Sequence, residues 1–282
     1  MLTARFLTIQ AALRQGAQLL EQEAVAAPRL TAEVLLCHAL GRDRSFLYGH
    51  PEEELTETAW IHYGRYLHER LRGVPTQYIT RRQEFWGRDF VVNPSVLIPR
   101  PETEHVIEVA LERAPRGGAA IDIGCGSGAI GITWRLETGS RTVATDISPP
   151  AASVARENAR RLGAAVEVVV CDLAVAFPAD AFDLVLSNPP YIPDPERPSL
   201  QREVRDHEPG VALFGGPTGV EIYERLIAEA VRVLRPGGWL VMEIGYRAEA
   251  RIAAMLTGRW EDVRVNPDLA GWPRVVSARL AP

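Results

Sequence analysis

Ala120-Ile121-Asp122-Ile123-Gly124-Cys125-Gly126-Ser127-Gly128-Ala129-Ile130-Gly131 is an apolar strand-like run that breaks into alternating glycines and continues as a helix-like segment from Ala129 to Leu136. Glycine tolerates positive φ and leaves the backbone bare. Positions 124, 126 and 128 therefore predict a tight turn that a ligand can approach, with free N–H groups of the following helix facing the same crevice. A strand, turn and helix of this kind open a doubly wound α/β sheet. The stretch also satisfies the looser dinucleotide fingerprint Gly124-x-Gly126-x-x-Ala129, so a nicotinamide enzyme is one reading of it.

Three more strand-like runs follow. Arg141 to Asp146 ends in an acid 20 positions beyond Gly126, placed to accept both hydroxyls of a ribose. Val166 to Cys171 ends at Asp172, a candidate acceptor for an adenine amino group, with Leu173 as an apolar ring contact. These features suit nicotinamide and S-adenosylmethionine (SAM) sites alike. Phe182 to Ser187 runs into Asn188-Pro189-Pro190-Tyr191, where proline ends strand pairing and stiffens the exposed turn. For Asn-Pro alone, a plain loop after a core strand is the better reading. Combined with the glycine turn, the Asn188 amide, the neighbouring carbonyls and the Tyr191 ring suit an NH2 group on a π system, and predict methyl transfer to a planar nitrogen. A dehydrogenase has no use for this tetrapeptide.

The chain of 282 residues is 46% hydrophobic with net charge −5, sufficient for one major core and a smaller unit. All 31 basic residues are arginine, which excludes lysine Schiff-base chemistry and the lysine-dependent phosphate loop. Cys37, Cys125 and Cys171 are few and scattered, as expected of core fillers in a reducing cytoplasm. The histidines lack paired ligand spacing, so no metal is predicted, and His62 and His68 are expected on a solvated helix. No apolar run is long enough for a membrane span, and residues 1–18 lack a signal-type pattern.

From Leu2 to about Gly73 the pattern is helical, with Ile9, Leu13, Ala17 and Leu20 on one stripe, a helix opened by Pro28 and closed by Gly41, and another over residues 55–72. Residues 75–99 turn to β-formers and aromatics, with Gly87-Arg88-Asp89 predicted as a hairpin turn. Six arginines face two acids between Arg70 and Arg100: a solvated edge, or a basic lip for an acidic or RNA-associated partner. Pro101-Glu102-Thr103-Glu104 starts a helix, residues 193–219 form a long Pro/Gly-rich loop, and Pro236-Gly237-Gly238 is predicted as a turn before a strand over residues 239–244. A last strand pair is expected around residues 261–265 and 275–280.

Over nearly its whole length the chain resembles the release-factor glutamine methyltransferases, also called the HemK or PrmC family. The resemblance rests on Glu84-Phe85-Trp86-Gly87, Leu97-Ile98-Pro99-Arg100-Pro101-Glu102-Thr103-Glu104, Asp122 to Ile130, Ser187 to Ile192 and Val204-Arg205-Asp206-His207-Glu208-Pro209. It implies an α/β fold with a seven-stranded, Rossmann-like SAM-dependent methyltransferase domain over residues 100–282, whose last pair contains one antiparallel strand. A helical substrate-recognition domain over residues 1–74 and a β-hairpin linker over 75–99 would precede it. The implied substrate is the Gly-Gly-Gln glutamine of bacterial-type peptide chain release factors. Family members commonly carry glycine where Arg81 stands here, which bears on linker geometry.

The expected cofactor is SAM, held by Gly124, Cys125, Gly126, Ser127, Gly128, Asp146, Asp172, Leu173 and Asn188. Asn188, Pro189 and Tyr191 are the candidate catalytic residues, with Pro190 also in the substrate pocket. Three rivals are weighed. An adenine-N6 DNA or RNA methyltransferase would use the same pocket, but the net acidic chain lacks a recognition domain. A noncatalytic SAM-binding protein would not need intact motifs, and within the enzyme class a ribosomal-protein glutamine methyltransferase is the nearest competitor, which the Leu97-Ile98-Pro99-Arg100-Pro101 segment does not cleanly separate. The expectation is a cytoplasmic monomer that meets its protein substrate transiently, without stable nucleic-acid or membrane partners.

Overall fold

The computed structural model describes residues 7–282, so the start of the predicted helical pattern, residues 2–6, lies outside the described residues. The chain divides into two compact units. In the first, helices Ile9–Gln22, Arg44–Gly49 and Glu57–Leu71 begin at Thr8, Asp43 and Thr56, whose side chains accept from the N–H groups of Ala11, Phe46 and Ala59. Pro28–Leu40 opens on its proline and ends at Gly41, at φ 63°. Apolar stripes from these helices bury Leu13, Leu20, Leu35, Leu36, Leu47, Tyr63 and Leu67 together. Gly16 lies where an added Cβ would stand 2.0 Å from the Tyr63 hydroxyl oxygen, so the bare backbone admits the ring.

Two segments of this unit differ from expectation. Residues 76–80, which the composition places at the start of the hairpin linker, form the helix Thr76–Thr80, which buries Tyr78 and Ile79 and ends on Arg81 at φ 57°. Burial overrides local propensity here. The predicted loop over 193–219 carries a 3₁₀ turn, Asp194–Ser199, and the helices Arg202–His207 and Gly210–Leu213. Residues 201–207 belong to the helical unit, where Glu203 meets the buried Arg70 at 2.5 Å.

The second unit holds strands β1 (Arg82–Phe85), β2 (Arg88–Val91), β3 (Ala119–Ile123), β4 (Arg141–Asp146), β5 (Val166–Val170), β6 (Phe182–Ser187), β7 (Ile192–Pro193), β8 (Phe214–Gly216), β9 (Leu234–Glu243), β10 (Trp260–Pro267) and β11 (Pro273–Leu280). Seven of them form one sheet in the order β10-β11-β9-β6-β3-β4-β5, in which β11 runs antiparallel to both neighbours. The order reverses between β3 and β6, so the carboxyl ends of these two strands border a crevice. Alternate strand residues face opposite layers. Ile121, Ile123, Val185, Leu240 and Met242 pack with helix Glu221–Val233, while Ala120, Leu184, Leu186 and Val241 pack with helices Glu104–Arg113 and Ala129–Thr138.

The hairpin turn is Trp86-Gly87 instead of Gly87-Arg88-Asp89, since Phe85 pairs directly with Arg88. Its φ values of 53° and 67° are those of a type I′ turn. Glu104 accepts from the Trp86 N–H and Glu84 from the Gly87 N–H, both at 2.7 Å, which holds a tryptophan where glycine or asparagine is usual. The predicted turn Pro236-Gly237-Gly238 lies inside β9 as a bulge: Phe182 pairs with Leu234 and Leu184 with Trp239.

Candidate active site

The glycine turn leaves β3 with Gly124, Gly126 and Gly128 all at positive φ, 72°, 54° and 81°. At 124 and 126 an added Cβ meets nothing within 4 Å, so the backbone itself is the crevice floor. Gly128 serves packing: a Cβ there would press on Ile132 at 2.8 Å and Ala155 at 3.3 Å. Asn158, fully buried, braces the turn by donating to the Ser127 carbonyl while exchanging two hydrogen bonds with the backbone of Val91.

Gly124, Cys125, Gly126, Ser127, Asp146, Asp172, Leu173, Asn188 and Pro190 line one cleft of about 190 Å³, together with Ser95, Val96, Leu97, Pro99, Thr103 and Arg225. Pro189 is buried. Tyr191 borders a second cavity with Ile192, Pro193, Val220 and Tyr246.

The cleft has a definite chemical preference. Before the helix, Gly126 donates to Asp146 at 2.9 Å and Gly128 to the Cys125 carbonyl at 2.7 Å, and in its first turn Gly131 donates to Asp122 at 2.8 Å. Burial pushes the Asp122 carboxyl up to about 7, and the nearby Asp146 adds to the shift. An anionic pyrophosphate would meet the carboxylates of Asp146 and Asp172, which line the cleft. A ribose and a cationic group fit instead. Each Asp146 oxygen takes one backbone N–H, from Gly126 and from Ser148 at 2.8 Å, and keeps a lone pair for a vicinal diol. Burial raises the Asp146 pKa, against those two donors. Asp172 pairs with Arg225 at 2.5 Å through one oxygen and sits beside Leu173, which is held at φ 49°. These residues fit an adenosine bearing a sulfonium.

Asn188 is anchored from behind. Its amide nitrogen donates to Thr103 Oγ1 at 3.1 Å, Thr103 donates to Glu243 Oε2 at 2.6 Å, and the Tyr191 hydroxyl donates to Glu243 Oε1 at 3.3 Å. Glu243 is 2% exposed, and burial raises its pKa. Sequence reasoning quoted Thr103 without giving it a role and missed Glu243. The available signal was its position as an acid at the end of a central strand, like Asp146.

Residues 11–80 match the PrmC N-terminal domain model and residues 103–201 the methyltransferase small domain model. A release factor glutamine methyltransferase of Koribacter versatilis is 45% identical over 97% of this chain and 99% of its own, and one of Nitratidesulfovibrio vulgaris is 45% identical over 96% and 95%. The chain belongs to the release factor glutamine methyltransferase family. Its fold is also that of a methyltransferase from Pyrococcus furiosus, at 18% identity and a TM-score of 0.55, covering 70% of this chain and 91% of that one.

In this family member, two of the stretches that carried the resemblance meet. The buried Glu208 accepts from the Ile98 N–H at 3.3 Å and pairs with Arg100. That pairing fixes the segment that supplies Leu97, Pro99 and Thr103 to the cleft.

Proposed function

We propose that the protein transfers the methyl group of SAM to the side-chain amide nitrogen, N5, of the glutamine in the Gly-Gly-Gln motif of peptide chain release factors. The observation that carries this reading is the placement of Asn188 and Pro190 in the wall of the same cleft as the bare glycine turn and Asp146. The family membership supports it. Gly124, Cys125, Gly126, Ser127, Asp146, Asp172 and Leu173 hold the cofactor, with Gly128 packing beneath them. When bound, SAM supplies a methyl group on a positively charged sulfur.

An amide nitrogen is a weak nucleophile because its lone pair is delocalised into the carbonyl. Asn188 Oδ1 and the Pro189 carbonyl accept the two N–H groups of the glutamine amide, which orients the nitrogen and disfavours that delocalisation. Both hydrogen bonds strengthen as the nitrogen gains positive charge, so they favour the transition state over the ground state. Pro190 bounds the amide pocket, Tyr191 braces Glu243 behind it, and the surplus proton passes from the nitrogen to solvent with or after transfer. The helical unit recognises the release factor. The enzyme acts in the cytoplasm as a monomer, through a transient complex and without stable nucleic-acid contact.

The test is peptide mass spectrometry of a cognate release factor incubated with the protein and SAM, beside a factor carrying Gln→Ala in the Gly-Gly-Gln motif. One added methyl on that glutamine, absent from the variant, is the expected result. Methyl transfer to DNA, RNA or a ribosomal protein instead would overturn the substrate.

A further inference from the structure

Thr103, Glu243 and Asn188 come from three distant parts of the chain, yet form one continuous chain of hydrogen bonds behind the cleft. We propose that Glu243, in its ionised form, acts through Thr103 to set which end of the Asn188 amide faces the cleft, making both positioning residues for the amide acceptor. The inference rests on the role given to Asn188 above.

The argument is one of donor and acceptor counting. A carboxylate only accepts. Thr103 must therefore spend its single proton on Glu243 Oε2, at 2.6 Å, and its oxygen is left as an acceptor. Only the NH2 end of Asn188 can satisfy that acceptor, so Oδ1 is left to face the cleft. The two ends of an amide have nearly the same shape, so packing alone does not choose between them.

Protonating Glu243 removes the constraint. The carboxylic acid can donate to Thr103, Thr103 can donate to a flipped Asn188, and the cleft then receives an NH2 group. Two NH2 groups would face each other, and a substrate amide would be rejected.

The groups facing Glu243 are consistent with a carboxylate held for this purpose. The Thr103 and Tyr191 hydroxyls both donate to it, and the Tyr223 hydroxyl donates to its backbone carbonyl at 3.3 Å. Arg274, paired with Asp268 at 3.0 Å, favours its charge, while Glu102 opposes it. Burial outweighs the favourable contacts and lifts its pKa above the ordinary glutamate range, so the switch falls at a less acidic pH than a solvated glutamate would give.

The sequence contains four asparagines, so asparagine-selective labelling gives few side-chain amide signals, and Asn188→Ala assigns the relevant pair. In the wild type and in Thr103→Ser, the Asn188 NH2 resonances should shift in one titration as Glu243 ionises. In Thr103→Val and Glu243→Gln, the shift should vanish while the remaining three pairs report an intact fold. In parallel, kcat for release-factor methylation should fall roughly 10- to 100-fold in Thr103→Val, with KM and the SAM dissociation constant near wild type. Thr103→Ser should restore turnover, and Glu243→Gln should lose the acid limb of the kcat profile.

An Asn188 pair that titrates identically in folded Thr103→Val, or full turnover by that variant, would overturn the proposal. If the wild type methylates no release factor, the function proposed above falls, yet the amide titration still decides whether Glu243 controls Asn188.

Discussion

The proposed function gives Asp146 and Asn188 different tasks, at the ends of β4 and β6 on either side of β3, and single substitutions should separate them. Asp146→Ala removes an ionised acceptor that also holds the Gly126 and Ser148 N–H groups. It should weaken SAM binding by about 1.5–3 kcal/mol, more than tenfold, as read by calorimetric titration. Asn188→Ala should leave that affinity within about threefold while lowering methylation on the order of 100-fold. An unchanged dissociation constant for Asp146→Ala would remove the ribose assignment. The placement of both residues in one cleft was legible in the sequence, because each caps an apolar run at the end of a parallel strand. Thr103 and Glu243 were not legible as a pair. They are 140 positions apart and meet only when the sheet has formed, so no local pattern joins them.

Backbone conformation decides how well each element follows its sequence. The strands of the main sheet were readable because apolar runs of β-formers end in acids or glycines. The helix Thr76–Thr80 was not, because burial of Tyr78 and Ile79 outweighs their strand preference. That helix ends on Arg81 at φ 57°, a conformation costly to any residue with a Cβ and free of that cost for glycine. Arg81→Gly should therefore raise stability by about 0.5–1 kcal/mol in chemical denaturation, and a loss would mean that the arginine side chain contributes more than the strain removes. Gly16→Ala should act in the opposite direction to helix propensity. Alanine favours a helix by about 1 kcal/mol over glycine, but its Cβ would stand 2.0 Å from the buried Tyr63 hydroxyl, and overpacking of this kind costs about 1–3 kcal/mol. A net loss is expected, partly recovered in Gly16→Ala with Tyr63→Phe. Simple additivity of the two variants would show that the side chains do not collide.

Across the whole molecule, the cleft is maintained by carboxylates that the fold keeps out of water, and folding stability should report their cost. Asp122 is completely buried beneath the glycine turn, with one oxygen on the Gly131 N–H and the other without a partner among the described residues. Its pKa is pushed from 3.8 to about 7, chiefly by desolvation. In the unfolded chain the group loses its proton first as pH rises, so between about pH 4 and 7 the native state binds more protons. Stability then falls with rising pH across that window, by about 4 kcal/mol at most, and the penalty is fully present above pH 7. Asp122→Asn keeps an acceptor for Gly131 and cannot ionise. The stability of the wild type relative to this variant should therefore decline from pH 4 to pH 7 and level off beyond it, measured by denaturant unfolding at each pH. A difference independent of pH would mean that Asp122 ionises equally in the folded and unfolded chains. A difference rising with pH would mean that the folded protein stabilises the charge, through donors that the single Gly131 contact does not supply.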